Sequence, residues 1–130
     1  MNTVAPLKVT EAFLPNVRAS RLKLLVYMSS RSGSIAERGT LPHHQPGGNY
    51  HYRTSKAALN SAIKSIAFDL KNEEIGVLAL HPGWVRTRGG GATAPLSPDE
   101  SVTRMRRTID AFSLDRSGTF QDLDGQTIAW

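Results

Sequence analysis

The chain contains no cysteine. Disulfides, thiolate nucleophiles and cysteine-bound metals are therefore excluded, and a cytoplasmic address is expected. Long hydrophobic runs are missing too. The longest near a strand is Leu24–Met28, far too short to cross a bilayer, so no membrane partner is expected. No basic segment followed by an apolar core opens the chain, so no secretion signal is expected. There is no internal repeat. Aromatics make up only 7%, and none interleaves with Arg104, Arg106 and Arg107, the one basic cluster. The net charge of +5 is otherwise scattered, so a solvated helix face is expected there and no nucleic-acid partner.

What is present suits one α/β domain of 130 residues, with 39% hydrophobic and 21% charged residues. Apolar residues at helical spacing predict a helix over 3–17, with Pro6 in its first turns. Leu22–Met28 has the length of a strand. Pro42, Pro46, Gly47 and Gly48 make 29–49 a loop. Leu59, Ile63, Ile66 and Leu70 mark one face of a long helix over 50–71. A turn at 72–74 leads to a strand over 75–80, and 81–98 is a long loop. Ser97-Pro98-Asp99-Glu100 has the form of a capping box, so a helix runs from Pro98 to about Phe112. A last strand is expected over 119–123. The alternation predicts a parallel sheet with a right-handed crossover through the long helix. The edge at Leu22–Met28 should be left open for pairing.

The chemistry concentrates between residues 29 and 56. Tyr52 and Lys56 are four apart at the start of the long helix, a spacing that puts both on one face. A free phenol, with a pKa of about 10, is ionised only to about one part in a thousand at pH 7, and an ammonium beside it favours proton exchange. Ser29 and Ser30 follow a strand, at the end of a parallel sheet where ligand sites form. They serve there either as substrate hydrogen-bond donors or as plain turn caps. Four histidines occur. His43 and His44 are adjacent, which suits chelation poorly, and His81 before Pro82 reads as a packed strand end, so no metal site is expected.

Three runs carry a resemblance. Met28-Ser-Ser-Arg-Ser-Gly-Ser-Ile35, Tyr52-Arg-Thr-Ser-Lys-Ala-Ala-Leu-Asn60 and His81-Pro-Gly-Trp-Val-Arg-Thr87 resemble the short-chain dehydrogenase/reductases. The subgroup most like them is that of the C-factor-like and sniffer-like carbonyl reductases, whose tails are similar to Ala94–Glu100 and Asp124–Trp130. The resemblance implies the C-terminal part of a Rossmann-like three-layer α/β sandwich with a parallel sheet. The Gly-rich dinucleotide turn and the N-terminal strands of that family have no counterpart in this sequence. Residues 1–130 are thus expected to form a single domain, a truncated member comprising the catalytic half.

The resemblance also implies roles. Tyr52 is the general acid/base, and Lys56 is its partner and a ligand to the nicotinamide ribose. Ser30, in preference to Ser29, stabilises the substrate carbonyl, and Asn2 helps hold a proton-relay water. Pro82, Gly83, Val85 and Thr87 cradle the cofactor. The implied activity is NAD(P)-dependent oxidoreduction of a small carbonyl or alcohol, with NADPH the form expected, in a homo-oligomer (dimer or tetramer). The alternative is a non-catalytic remnant or interaction module that self-associates through its helices and open sheet edge. The Gly-x-Gly-x-x-Ala at Gly89, Gly91 and Ala94 is followed at once by Pro95 and reads as a flexible substrate loop. The stretch from Ser30 to Tyr52 is longer than the family's, and Pro42–Pro46 within it is expected to be able to displace the serine.

Overall fold

The computed structural model describes residues 1–40 and 48–130. Pro42, His43, His44, Gln45 and Pro46 lie outside the described residues. Helix α1 spans Val4–Ala19, strand β1 Leu24–Met28, helix α2 Tyr50–Asp69, strand β2 Gly76–His81, helix α3 Pro98–Asp110 and strand β3 Thr119–Asp122. The expected order of elements holds, and the boundaries shift for local reasons. Strand β1 starts late because Lys23 takes a left-handed φ of 44°. Helix α2 ends two residues early, at Asp69, and a 3-10 turn over Lys71–Glu73 closes on a left-handed Glu74. The loop after β1 begins with a further 3-10 turn, Arg31–Gly33. Helix α1 keeps Pro15 in its interior, which helical periodicity alone does not reveal.

All three strands are parallel, with β2 in the centre. Val26 sits opposite Leu78, and Leu78 opposite Thr119. One face carries Tyr27, Val77, Ala79 and Phe120, packed on Leu59, Ile63 and Ala67 of α2 and on Leu14 and Val17 of α1. On the other face Leu78 and Leu80 are fully buried. The end of the α3 segment seals that face. The Phe112 ring lies so close to Gly76 that a Cβ there would sit 2.5 Å from it. The C-terminus folds back as a last support. Ile128 donates its N–H to the Phe120 carbonyl (2.7 Å), and the Trp130 and Phe120 rings stack with centroids 5.5 Å apart. The outer edge of β1 has no strand partner among the described residues. No helix among them is long and apolar enough to cross a membrane.

Candidate active site at the carboxyl ends of the strands

Strands β1, β2 and β3 end at Met28, His81 and Asp122, and a cleft of about 860 Å³ opens above them. Ser30, Tyr52, Pro82, Gly83, Val85 and Thr87 all line it. The parallel sheet is the cause: it points every strand end, and the start of α2, to the same side.

Tyr52 lies in the first turn of α2, partly exposed to the cleft. Lys56 follows one turn later. Its Nζ lies 6.0 Å from the centre of the Tyr52 ring and donates to the Met28 carbonyl at 2.8 Å. Burial pulls the Lys56 ammonium below its ordinary pKa. Lys56 is held from behind by Gly33. A Cβ on Gly33 would stand 2.7 Å from the Lys56 carbonyl carbon, so only glycine lets the post-β1 turn approach α2 this closely.

The two serines part company. Ser30 caps the 3-10 turn, its Oγ accepting from the Ser32 N–H at 3.2 Å, and it lines the cleft. Ser29 faces α2, where its hydroxyl donates to Asn60 Oδ1 in a short hydrogen bond. Ser30 thus lines the same cleft as Tyr52. Asn2 does not line the cleft. Its Nδ2 donates to Ser55 Oγ at 3.1 Å, and Ser55 Oγ donates to the Tyr52 carbonyl at 2.8 Å, so Asn2 braces the first turns of α2.

The loop after β2 is tied down at several points. Ser101 Oγ of α3 donates to the Pro82 carbonyl at 2.7 Å. Gly83 turns at a φ of +82°, which a side chain rarely adopts. Arg86 N–H bonds the Leu96 carbonyl at 2.8 Å, and the Arg86 guanidinium holds the Ala94 and Pro95 carbonyls. The Gly90 N–H reaches Thr87 Oγ1 at 3.2 Å. The stretch expected to be a flexible loop is therefore pinned in this structure, with Ala94 buried.

Sequence reasoning missed three residues here, Arg31, Asn60 and Arg53. Arg31 sits between Glu37 (3.4 Å) and Asp122 (3.8 Å) at the back of the cleft. His81, opposite Asp122 in the sheet, is packed as expected. Burial and then the Arg31 charge push its pKa down to about 4, and its Nδ1 is buried without a hydrogen-bond partner. Asn60 anchors Ser29, and Arg53 follows Tyr52 into the cleft. Position in sequence does not mark Arg31, Asn60 or Arg53; the fold brings them together with the strand ends.

A family model described as enoyl-(acyl carrier protein) reductase matches residues 2–124. The chain belongs to the short-chain dehydrogenase/reductase family. Among curated members of this short-chain dehydrogenase/reductase family, it is 42% identical to the C-signal protein of Myxococcus xanthus, over 100% of this chain and 75% of that one. It is 32% identical to the 1-hydroxy-2-glutathionyl-2-methyl-3-butene dehydrogenase of Rhodococcus sp. (strain AD45), covering all of this chain and 56% of that one. Among solved structures, the carbonyl reductase Sniffer of D. melanogaster superposes with a TM-score of 0.89 at 37% identity, covering 99% of this chain and 54% of that one. An NADPH-bound carbonyl reductase from chicken fatty liver gives 0.88 at 34% identity, again with 99% and 54% coverage. The chain thus spans about half the length of these solved relatives and three quarters of the C-signal protein. The sheet and helices described above form part of the Rossmann-fold sandwich of these short-chain dehydrogenase/reductases.

Proposed function

We propose that this chain carries the catalytic half of an NAD(P)-dependent oxidoreductase acting on a carbonyl or alcohol, with NADPH the preferred reductant. The observation that carries the reading is the shared cleft: Ser30 and Tyr52 line it beside the Pro82–Thr87 loop, with Lys56 one helical turn behind Tyr52. The site suits a nicotinamide. Its volume lies in the range of small-molecule pockets, backbone groups and the Thr87 hydroxyl of the Pro82–Thr87 loop supply uncharged donors, and no acidic side chain among the described residues lines it against an anionic cofactor.

Bound there, the cofactor supplies or accepts the hydride. The rest is the work of this chain. The Ser30 hydroxyl donates to the substrate oxygen and fixes its direction. Tyr52 passes its phenolic proton to that oxygen in reduction and takes it back in oxidation. Lys56 would contribute positive charge beside Tyr52 and would hold the ribose of a bound cofactor. Asn2 acts through Ser55 and the Tyr52 backbone, as a positioning residue.

Two further statements belong to the same reading. The reaction takes place in the cytoplasm, and the chain works as a homo-oligomer, a dimer or tetramer. Exposed apolar residues on α1 support self-association: Val9 and Phe13 are 57% and 59% exposed.

The test uses reduced nicotinamide mononucleotide, the part of the cofactor these residues touch. It should shift the amide resonances of Gly83, Val85 and Thr87, and Lys56→Met should weaken it about tenfold, the loss of one hydrogen bond to a charged group. NADPH should bind the 130-residue chain only a few-fold more tightly. Shifts confined to other surfaces would sink the reading.

A further inference from the structure

We propose that Arg53 selects carbonyl substrates that carry a carboxylate, seating that group in the cleft beside Tyr52. This inference rests on the oxidoreductase reading, because it names the substrate class for the same cleft. It begins with one side chain. Arg53 lines the cleft, its Nε is buried without a hydrogen-bond partner, and the side chain makes no hydrogen bond or ion pair among the described residues. Other arginines nearby are engaged. Arg31 faces Glu37 and Asp122, and Arg86 holds two backbone carbonyls. A buried guanidinium nitrogen without an acceptor is unfavourable, so Arg53 is a donor lacking its partner.

The walls supply no such partner. No Asp or Glu occurs between Glu37 and Asp69, or between Glu74 and Asp99, the stretches that provide most of the lining. An anion entering the cleft meets no carboxylate, and a hydrogen bond from arginine to a carboxylate is charge-assisted and stronger than a neutral one. The planar fork of arginine matches a carboxylate with two parallel hydrogen bonds. Trp84, Val102 and Met105 share the same cleft, which suits a ligand with an apolar body and one charged end.

Position favours the substrate over the cofactor as the source of that charge. Lys56, proposed for the ribose, is bound to Met28 deeper along α2, whereas Arg53 stands in the helix's first turn beside Tyr52.

The test is a titration of the isotope-labelled chain, read from cleft amide shifts, with 4-oxopentanoate, its methyl ester, pentanoate and pyrophosphate. The keto acid should bind saturably, the ester about tenfold more weakly, and Arg53→Gln should bring the acid to the level of the ester. Arg53→Lys, which keeps the charge without the fork, should retain part of the preference, and a dispersed spectrum verifies that each variant is folded. Equal binding of acid and ester overturns the inference. So does acid binding that Arg53→Gln leaves intact, or binding of pyrophosphate without the keto acid. No saturable shift by the acid up to about 50 mM, beyond the millimolar range of weak charged contacts, also overturns it. Tyr52→Phe tests the underlying reading separately. It should weaken the keto acid relative to pentanoate while both still depend on Arg53. If it treats the two acids alike, the carbonyl role of Tyr52 fails and the Arg53 site stands. If the keto acid depends on Tyr52 and not on Arg53, the reverse holds.

Discussion

Gly33 and His81 show how much of the site depends on single residues that do no chemistry. A methyl group on Gly33 would press on the Lys56 backbone, which belongs to a helix and yields little. Gly33→Ala is therefore expected to lower stability by about 1–3 kcal/mol, the range for overpacking, and to move the Lys56 amide resonance. Urea unfolding followed by circular dichroism checks the first, and a two-dimensional amide spectrum the second. His81 sets a pH dependence. Its folded pKa of about 4 lies below the unfolded value of 6.5, because burial and the Arg31 charge disfavour the imidazolium, against the opposing pull of Asp122. The unfolded chain thus binds more protons in this window. The stabilising effect is complete above pH 6.5 and declines as the pH falls toward 4. Between pH 7 and pH 5 the folded state should lose about 2 kcal/mol from this group. His81→Gln should flatten that slope in unfolding midpoints measured across the window, and an unchanged slope would assign the dependence elsewhere.

Helix α3 starts at Pro98, where its capping box places it, and ends at Asp110, two residues before the expected Phe112. Both halves of its capping box are present: Ser97 Oγ accepts from the Glu100 N–H at 3.2 Å, and Glu100 Oε2 accepts from the Ser97 N–H at 2.7 Å. The same helix start carries Ser101, which bonds the Pro82 carbonyl, so the cap also steadies the loop after β2. Ser97→Ala should lower stability by about 1 kcal/mol and broaden the Gly83 and Thr87 amide signals. Thermal unfolding and the amide spectrum test the two halves of that statement. Local signals of this kind made the elements legible: the cap at Ser97, the apolar stripe of α2, the short apolar run of β1. Tyr52 with Lys56, and the serines after β1, were legible for the same reason, since one turn of helix and one strand end fix their places. The direction of Ser29 toward Asn60 was not, nor was the Arg31 charge that acts on His81. Those depend on contacts between residues distant in the chain, on which no local spacing reports. Helix α1 runs through Pro15, which helix propensity disfavours and the packing of Leu14 and Val17 offsets.

At the scale of the whole molecule, the exposed apolar stripe of α1 bears on assembly. Phe13→Glu places a charge in the proposed contact between copies, and sedimentation should show the population shifting to monomer at high micromolar concentration. A parent chain already monomeric there would defeat the oligomer proposal. The C-terminal return bears on stability instead. Ile128 is almost wholly buried beneath Phe120 and α2, and Ile128→Ala should lower the unfolding free energy by about 2–5 kcal/mol.

The parallel pairing of the sheet has a further consequence, in time rather than in energy. Leu24 meets Gly76 only after all of α2 has been traversed, and Leu78 meets Thr119 only after α3. No strand can zip onto its sequence neighbour through a tight turn. Each ladder must await the closure of a long loop, whose lost entropy is repaid only once the strands touch. Refolding should therefore be slow for a molecule of this size, with both crossover helices formed and searching for a sheet that does not yet exist.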